Sequence, residues 1–120
     1  MKAILYKGQK HLEFVTNIAK PIPSYHQVLV ETKAVGICGS DLGIFEGEFP
    51  KITPPLIIGH EGVGIVRAIG DKVTTVKKKD HVAVSPIPYC GQCEKCKQGK
   101  FNLCSYSATL GMIDAPGEYA

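Results

Sequence analysis

Apolar and polar residues alternate or cluster along this chain in short runs separated by glycine and proline, the pattern of β-structure with little helix. Residues 2–7 and 12–16 lie around the break at Lys7-Gly8-Gln9-Lys10 and predict two strands of a hairpin. Pro21 and Pro23 mark a connecting loop. Val28, Val30, Ala34, Val35 and Ile37 flank Glu31 to Lys33, which predicts a long strand with one face in a core. That strand is expected to end at Gly36-Ile-Cys-Gly-Ser-Asp41, where Gly39 breaks it and Ser40 or Asp41 caps a short helix over Leu42 to Phe45. After a loop with Pro50, Pro54 and Pro55, Leu56-Ile57-Ile58 leads into Gly59-His60-Glu61-Gly62. Val63 to Ile69 then continues as a β-rich run towards the Gly70-Asp71 turn, and His81 to Val84 gives a last short strand. The fold class expected from this pattern is mainly β with one or two short helices.

Four cysteines within fifteen residues, Cys90, Cys93, Cys96 and Cys104, add the strongest chemical signal. Cys-x2-Cys-x2-Cys-x7-Cys lets a short loop wrap four thiolates around one tetrahedral ion without long-range folding. An all-sulfur shell leaves no position for substrate, so a zinc held there is structural. Disulfides are disfavoured by the close spacing and by the absence of a secretory pattern in Met1-Lys2-Ala3-Ile4. An iron–sulfur cluster is the sharper rival. Bacterial ferredoxins also run Cys-x2-Cys-x2-Cys, but they close with x3 and proline, and here the last gap is x7 followed by Ser105.

At 120 residues and 44% hydrophobic content the chain suits one domain with a core of its own. No apolar run approaches the ~18 residues of a membrane span, and a cytoplasmic protein is expected. The net charge of +3 reflects Lys77-Lys78-Lys79 and Lys95, Lys97 and Lys100, read as solvated surface. With one arginine, Arg67, and no tryptophan, the chain lacks the interleaved aromatic and arginine residues of a nucleic-acid-binding face.

Outside the cysteine lobe, Cys38 follows one predicted strand and His60 another, so the two can converge as metal ligands. Gly36, Gly39, Gly59 and Gly62 permit tight turns around the pair. Neighbours in extended chain point to opposite faces, so Glu61 is expected beside such an ion rather than on it with His60. Asp41, three residues past Cys38, is suited to accept the free ring N–H of His60 and fix its tautomer. Gly62-Val-Gly64-Ile-Val-Arg67 begins like a dinucleotide fingerprint, but Arg67 stands at the third glycine and no strand-to-helix entry precedes it, so no cofactor-binding residue is assigned.

Gly36-Ile-Cys-Gly-Ser-Asp-Leu42, then Gly59-His-Glu-x-x-Gly64 with Gly70 and Val73, then the four-cysteine lobe, resemble the zinc-containing medium-chain alcohol dehydrogenases in order and spacing over the whole chain. Among these, Cys-Gly-Ser-Asp and the Pro86-to-Cys104 lobe look most like the polyol, sugar-acid and threonine dehydrogenases. The resemblance implies a GroES-like, partly open β-barrel over residues 1–120 with a zinc-binding loop lobe at 90–104. It implies that Cys38 and His60 hold a catalytic zinc with Glu61 grouped at that site, and that Cys90, Cys93, Cys96 and Cys104 hold a structural zinc. Ser40, Asp41 and Glu61 are the catalytic candidates: Ser40 bonded to the substrate oxygen, Asp41 orienting His60, Glu61 modulating the ion.

The implied function, in the complete protein, is hydride transfer from a small alcohol or polyol to NAD(P), with homo-oligomerisation allowed for and no nucleic-acid or membrane partner. The alternative is a non-enzymatic, zinc-stapled β-barrel module derived from such an enzyme. Gly43 stands where many relatives carry a proton-relaying histidine, and Lys79 replaces a common glycine before Asp80. Gly111 to Ala120 looks like a shortened form of the family's Gly-Gly-Phe-x-Glu-Tyr segment. A Rossmann domain is expected to lie beyond these residues, so the chain alone is expected to be inactive.

Overall fold

A computed structural model of the chain describes residues 1–106, 109–111 and 117–118. Strands β1 (Ala3–Gly8) and β2 (His11–Val15) form the expected antiparallel hairpin, with Leu5 opposite Glu13 and a bulge between Tyr6 and Gly8. The two-residue strand β4 (Leu56–Ile57) pairs with the other side of β1, giving a sheet in the order β2-β1-β4. A second antiparallel sheet runs β3-β5-β6, from β3 (Val28–Val35), β5 (Gly62–Ile69) and β6 (His81–Ala83). Among the described residues the two sheets do not join into a closed ladder, so the β-structure is a partly open barrel.

Tyr6, Ile44 and Ile58 form the buried cluster, with Ile52 and Leu56 packed against it. Ile44 and Ile58 are each 1% exposed, and burial of such a side chain stabilises the fold by about 1.5–3 kcal/mol. The cluster ties helix α1 (Gly39–Glu46) to the hairpin and to the chain entering His60. Two chemically important segments therefore share one core. No helix among the described residues is long and apolar enough to cross a membrane.

Two local expectations need correction. Strand β3 stops at Val35, and Ile37 lies beyond it, 77% exposed; the Gly36 N–H still donates to the Glu61 carbonyl, in register with the Val35–Gly62 pair. Helix α1 begins at Gly39 and is capped by Cys38, not by Ser40 or Asp41. Asp41 instead occupies the third helical position and its Oδ2 accepts the Cys38 N–H at 2.9 Å, the backward half of a capping box. At the other end Gly47, with φ 79, supplies the left-handed C-cap.

Candidate metal centres

The lobe after β6 is built by helix α2 (Glu94–Lys97) and a 3₁₀ turn at Phe101–Leu103. Cys93 caps α2, Cys96 lies within it, and Cys104 closes the 3₁₀ turn, so local turns alone bring the sulfurs towards Cys90. All four Sγ atoms lie within 4.8 Å of one another. Cys90 and Cys96 are 4.0 Å apart and Cys93 and Cys104 3.9 Å, too far for disulfides and close to the edge of about 3.8 Å that a tetrahedron with zinc–sulfur bonds of about 2.3 Å requires.

Backbone N–H groups already point at the sulfurs: Cys93 donates to Cys90 Sγ at 3.3 Å, and Cys90 and Tyr106 donate to Cys104 Sγ at 3.4 Å. The N–H groups of Cys96 and Ser105 hold the Cys93 thiol down to about 6, and those of Cys90 and Tyr106 hold Cys104 below its ordinary value. Burial pushes Cys96 up to about 12. A metal ion reverses that preference by binding thiolate directly. Donor type, number and spacing therefore fit one tetrahedral zinc.

The second cluster is assembled from distant segments. Cys38 sits at the N-cap of α1, and His60 and Glu61 sit in the turn between β4 and β5. Donor atoms of Cys38, His60 and Glu61 lie within 4.8 Å of one another, with the cysteine half-buried and Glu61 exposed. Glu61 thus departs from the expectation that it faces away from His60. Residues 58–61 belong to no strand, and Gly59 has φ 95, so the alternation of extended chain does not apply there. Gly36 makes room on the other side, because a Cβ there would lie 2.7 Å from Glu61 Oε2.

Asp41, 4% exposed, places Oδ1 3.5 Å from His60 Nδ1 while its Oδ2 holds the Cys38 backbone. With Nδ1 facing Asp41, Nε2 is the nitrogen left for a metal, and Ser40 Oγ lies 3.3 Å from it. One cysteine, one imidazole and one carboxylate fit zinc with a coordination position left open. At Gly43, which stands where the relay histidine is lacking, a Cβ would fall 2.7 Å from the Phe49 ring, so a side chain there would require that ring to shift.

Sequence reasoning missed Glu118. Its carboxyl lies over Gly62, two residues from His60, and burial raises its pKa. Only the tail resemblance touched this residue, and residues 112–116 and 119–120 of that tail lie outside the described residues. Gly62 and Gly64 offer no cradle for a pyrophosphate. They lie inside β5, and a Cβ would fall 2.5 Å from Glu118 Oε2 at Gly62 and 2.4 Å from the Glu31 carbonyl oxygen at Gly64. These residues do not fit a nicotinamide cofactor.

Comparison with known proteins agrees with this architecture. The family model described as the alcohol dehydrogenase GroES-like domain matches residues 24–120. D-xylulose reductase A of Aspergillus oryzae is 44% identical over 96 residues, covering 74% of this chain and 26% of that protein. The alcohol dehydrogenase TADH from Thermus sp. ATN1 superposes with a TM-score of 0.90 at 28% identity, over 98% of this chain and 35% of that one. The rspB dehydrogenase of E. coli CFT073, solved with NADH, superposes with a TM-score of 0.85 at 39% identity, over 99% of this chain and 34% of that one. The chain spans about a third or less of the length of the curated relatives it matches. Its sheet order, its partly open barrel and its agreement with dehydrogenase domains over nearly every residue make this chain a member of the alcohol dehydrogenase GroES-like domain family.

Proposed function

We propose that the chain is the zinc-binding N-terminal domain of a zinc-dependent alcohol or polyol dehydrogenase, which in complete form transfers hydride from a small alcohol to NAD(P). The observation that carries this reading is the convergence of Cys38, His60 and Glu61 donor atoms within 4.8 Å, drawn from two segments far apart in sequence. Zinc bound there would act as a Lewis acid that makes an alcohol hydroxyl easier to deprotonate. Cys38 and His60 are its firm ligands, and Glu61 either joins them or tunes the charge from Gly36's side. Asp41 keeps the His60 ring oriented and fixes the Cys38 backbone with its second oxygen. Ser40, beside His60 Nε2, is the hydrogen-bond partner of the substrate oxygen.

The four-cysteine lobe holds a second, structural zinc, as its sulfur spacing and thiolate-directed N–H groups support. Reduced thiols of this kind suit a cytoplasmic setting. The nicotinamide site belongs to other residues of the whole protein, and the NADH bound by the rspB relative supports that assignment.

The test begins with the gene. Its reading frame should continue into a Gly-x-Gly-x-x-Gly domain, and the zinc-loaded product should reduce NAD or NADP with polyols or simple alcohols. Cys38→Ser should abolish turnover. The 120 residues alone should neither turn over alcohols nor bind either dinucleotide. Absence of turnover by the complete product with both cofactors and all alcohol classes would overturn the reading in favour of a non-enzymatic module.

A further inference from the structure

Helix α1 delivers three residues of the candidate site from one end: Cys38 as its N-cap, then Ser40 and Asp41. The opposite end leaves the last four carbonyls, those of Gly43 to Glu46, without partners inside the helix. The left-handed Gly47 turn satisfies two of them: Gly47 N–H donates to the Ile44 carbonyl at 3.0 Å and Glu48 N–H to the Gly43 carbonyl at 2.9 Å. The other two are held from the tip of the β1–β2 hairpin. Lys10 N–H donates to the Phe45 carbonyl at 2.7 Å, and Gln9 Nε2 donates at 2.8 Å to the carbonyl of Glu46, 37 residues away in sequence. Gln9 also lies over the cap, where a Cβ at Gly47 would meet its Cγ at 3.1 Å.

The tip carries a backbone cost for this contact. Lys10 holds φ 59, a left-handed conformation that two-residue hairpin turns ordinarily give to glycine or asparagine. The ion pair of Lys10 with Glu46, 3.1 Å long, joins two exposed side chains and adds little, so the two hydrogen bonds carry the contact. Ile44 seats the helix against Tyr6 of β1 and Ile58. At about 1.5 Å per residue its eight residues span about 12 Å, short enough for a displacement at Glu46 to reach Cys38 through a single rigid element.

We propose that Gln9, together with the Lys10 N–H, is a positioning element: by holding the C-terminal carbonyls of α1 it fixes the helix along its axis, and so sets how Cys38 and Asp41 meet His60 and Glu61. This role rests on the function proposed above, in which the Cys38, His60 and Glu61 cluster binds metal. Loss of the Gln9 donor leaves the Glu46 carbonyl to water and lets α1 shift, which loosens the end that carries Cys38.

Cobalt(II) titration of the 120-residue chain provides the readout. Four-thiolate cobalt gives intense sulfur-to-metal charge-transfer bands, while a one-thiolate site gives weaker, separable bands that Cys38→Ser identifies by subtraction. The wild-type chain should fill two sites in succession. Gln9→Ala should weaken the second by about 3–10-fold, the worth of one hydrogen bond, and leave the first unchanged. Gln9→Glu, similar in size but unable to donate when ionised, should weaken it at least as much. Gln9→Lys keeps a donor at the helix C-terminus and should stay within about twofold of wild type. Lys10→Asn removes the ion pair but keeps the N–H in a residue that tolerates left-handed backbone, and should leave both sites unchanged. A merely structural role for Gln9 would lower the melting temperature of Gln9→Ala with second-site affinity equal to wild type, and that result overturns the proposal. Equal weakening of both sites, or weakening in Gln9→Lys or Lys10→Asn as large as in Gln9→Ala, overturns it too. A wild-type chain that fills only the four-thiolate site overturns the proposed function and the positioning role together, whereas a filled second site indifferent to Gln9→Ala overturns the positioning role alone.

Discussion

Cys96→Ser removes one sulfur from a lobe that has almost nothing else to hold it. Within residues 90–104 the buried side chains are Cys96 and Cys104, and the apolar residues Phe101 and Leu103 are exposed. Ordering these fifteen residues costs about 22 kcal/mol in conformational entropy at about 1.5 kcal/mol each. Six backbone hydrogen bonds in its turns, from Lys97 to Cys104, contribute about 1 kcal/mol each. The stack of Tyr89 on Phe101, with centroids 4.3 Å apart, adds about 1 kcal/mol. Structural zinc in small peptides supplies about 10–16 kcal/mol, which closes the balance, and no other local term is large enough to do so.

Loss of one thiolate should therefore release the ion and disorder the lobe, while β3 and β5 keep their own pairing and core. Hydrogen exchange with mass spectrometry reads this directly. Protection should vanish across 90–104 and persist across Val28–Val35 and Gly62–Ile69. Equal loss in the sheet, or a lobe that stays protected without metal, would refute the reasoning.

Three further outcomes follow from single positions. Gly36→Ala puts a methyl group 2.7 Å from Glu61 Oε2, so the carboxylate must move. Cobalt affinity at the Cys38 site should fall about tenfold with the four-cysteine site unchanged, and an unchanged affinity would show that Glu61 does not touch the ion. Lys79 holds φ 78, a left-handed conformation costing a non-glycine residue roughly 1–2 kcal/mol. Lys79→Gly should stabilise the chain by about 0.5–1 kcal/mol after the greater unfolded-state freedom of glycine is included, and a lower melting temperature would contradict this. Hydrogen bonds from Arg67 and then Lys33 hold Glu31 down to about 2, so its folded value is depressed. Its contribution is present above the ordinary carboxylate range and is lost as pH falls from about 4.5 towards 2. Denaturation of Glu31→Gln should thus differ from wild type at pH 7 in low salt and converge with it near pH 2 and in high salt; a pH-independent difference would point to packing instead.

The sequence by itself determined whatever depends on near neighbours. The convergence of the four cysteine sulfurs was legible because they lie within one loop, where spacing fixes geometry. The hairpin was legible because alternation around a glycine-containing break needs no distant partner to define it. Lys79 stood out against the family pattern, and the left-handed turn it occupies gives the physical reason for a glycine there.

Tertiary structure decided the rest. Alternation placed Glu61 opposite His60, but the turn with Gly59 at φ 95 brings both towards Cys38. The choice of helix cap also turned on a long-range partner, because Asp41 shares its two oxygens between Cys38 and His60. Glu118 carried no periodic signal, and only the tail resemblance touched it. Its place over Gly62 exists only because residues 117–118 pack backbone against backbone on residues 57–59, far away in sequence, and no local pattern encodes that approach.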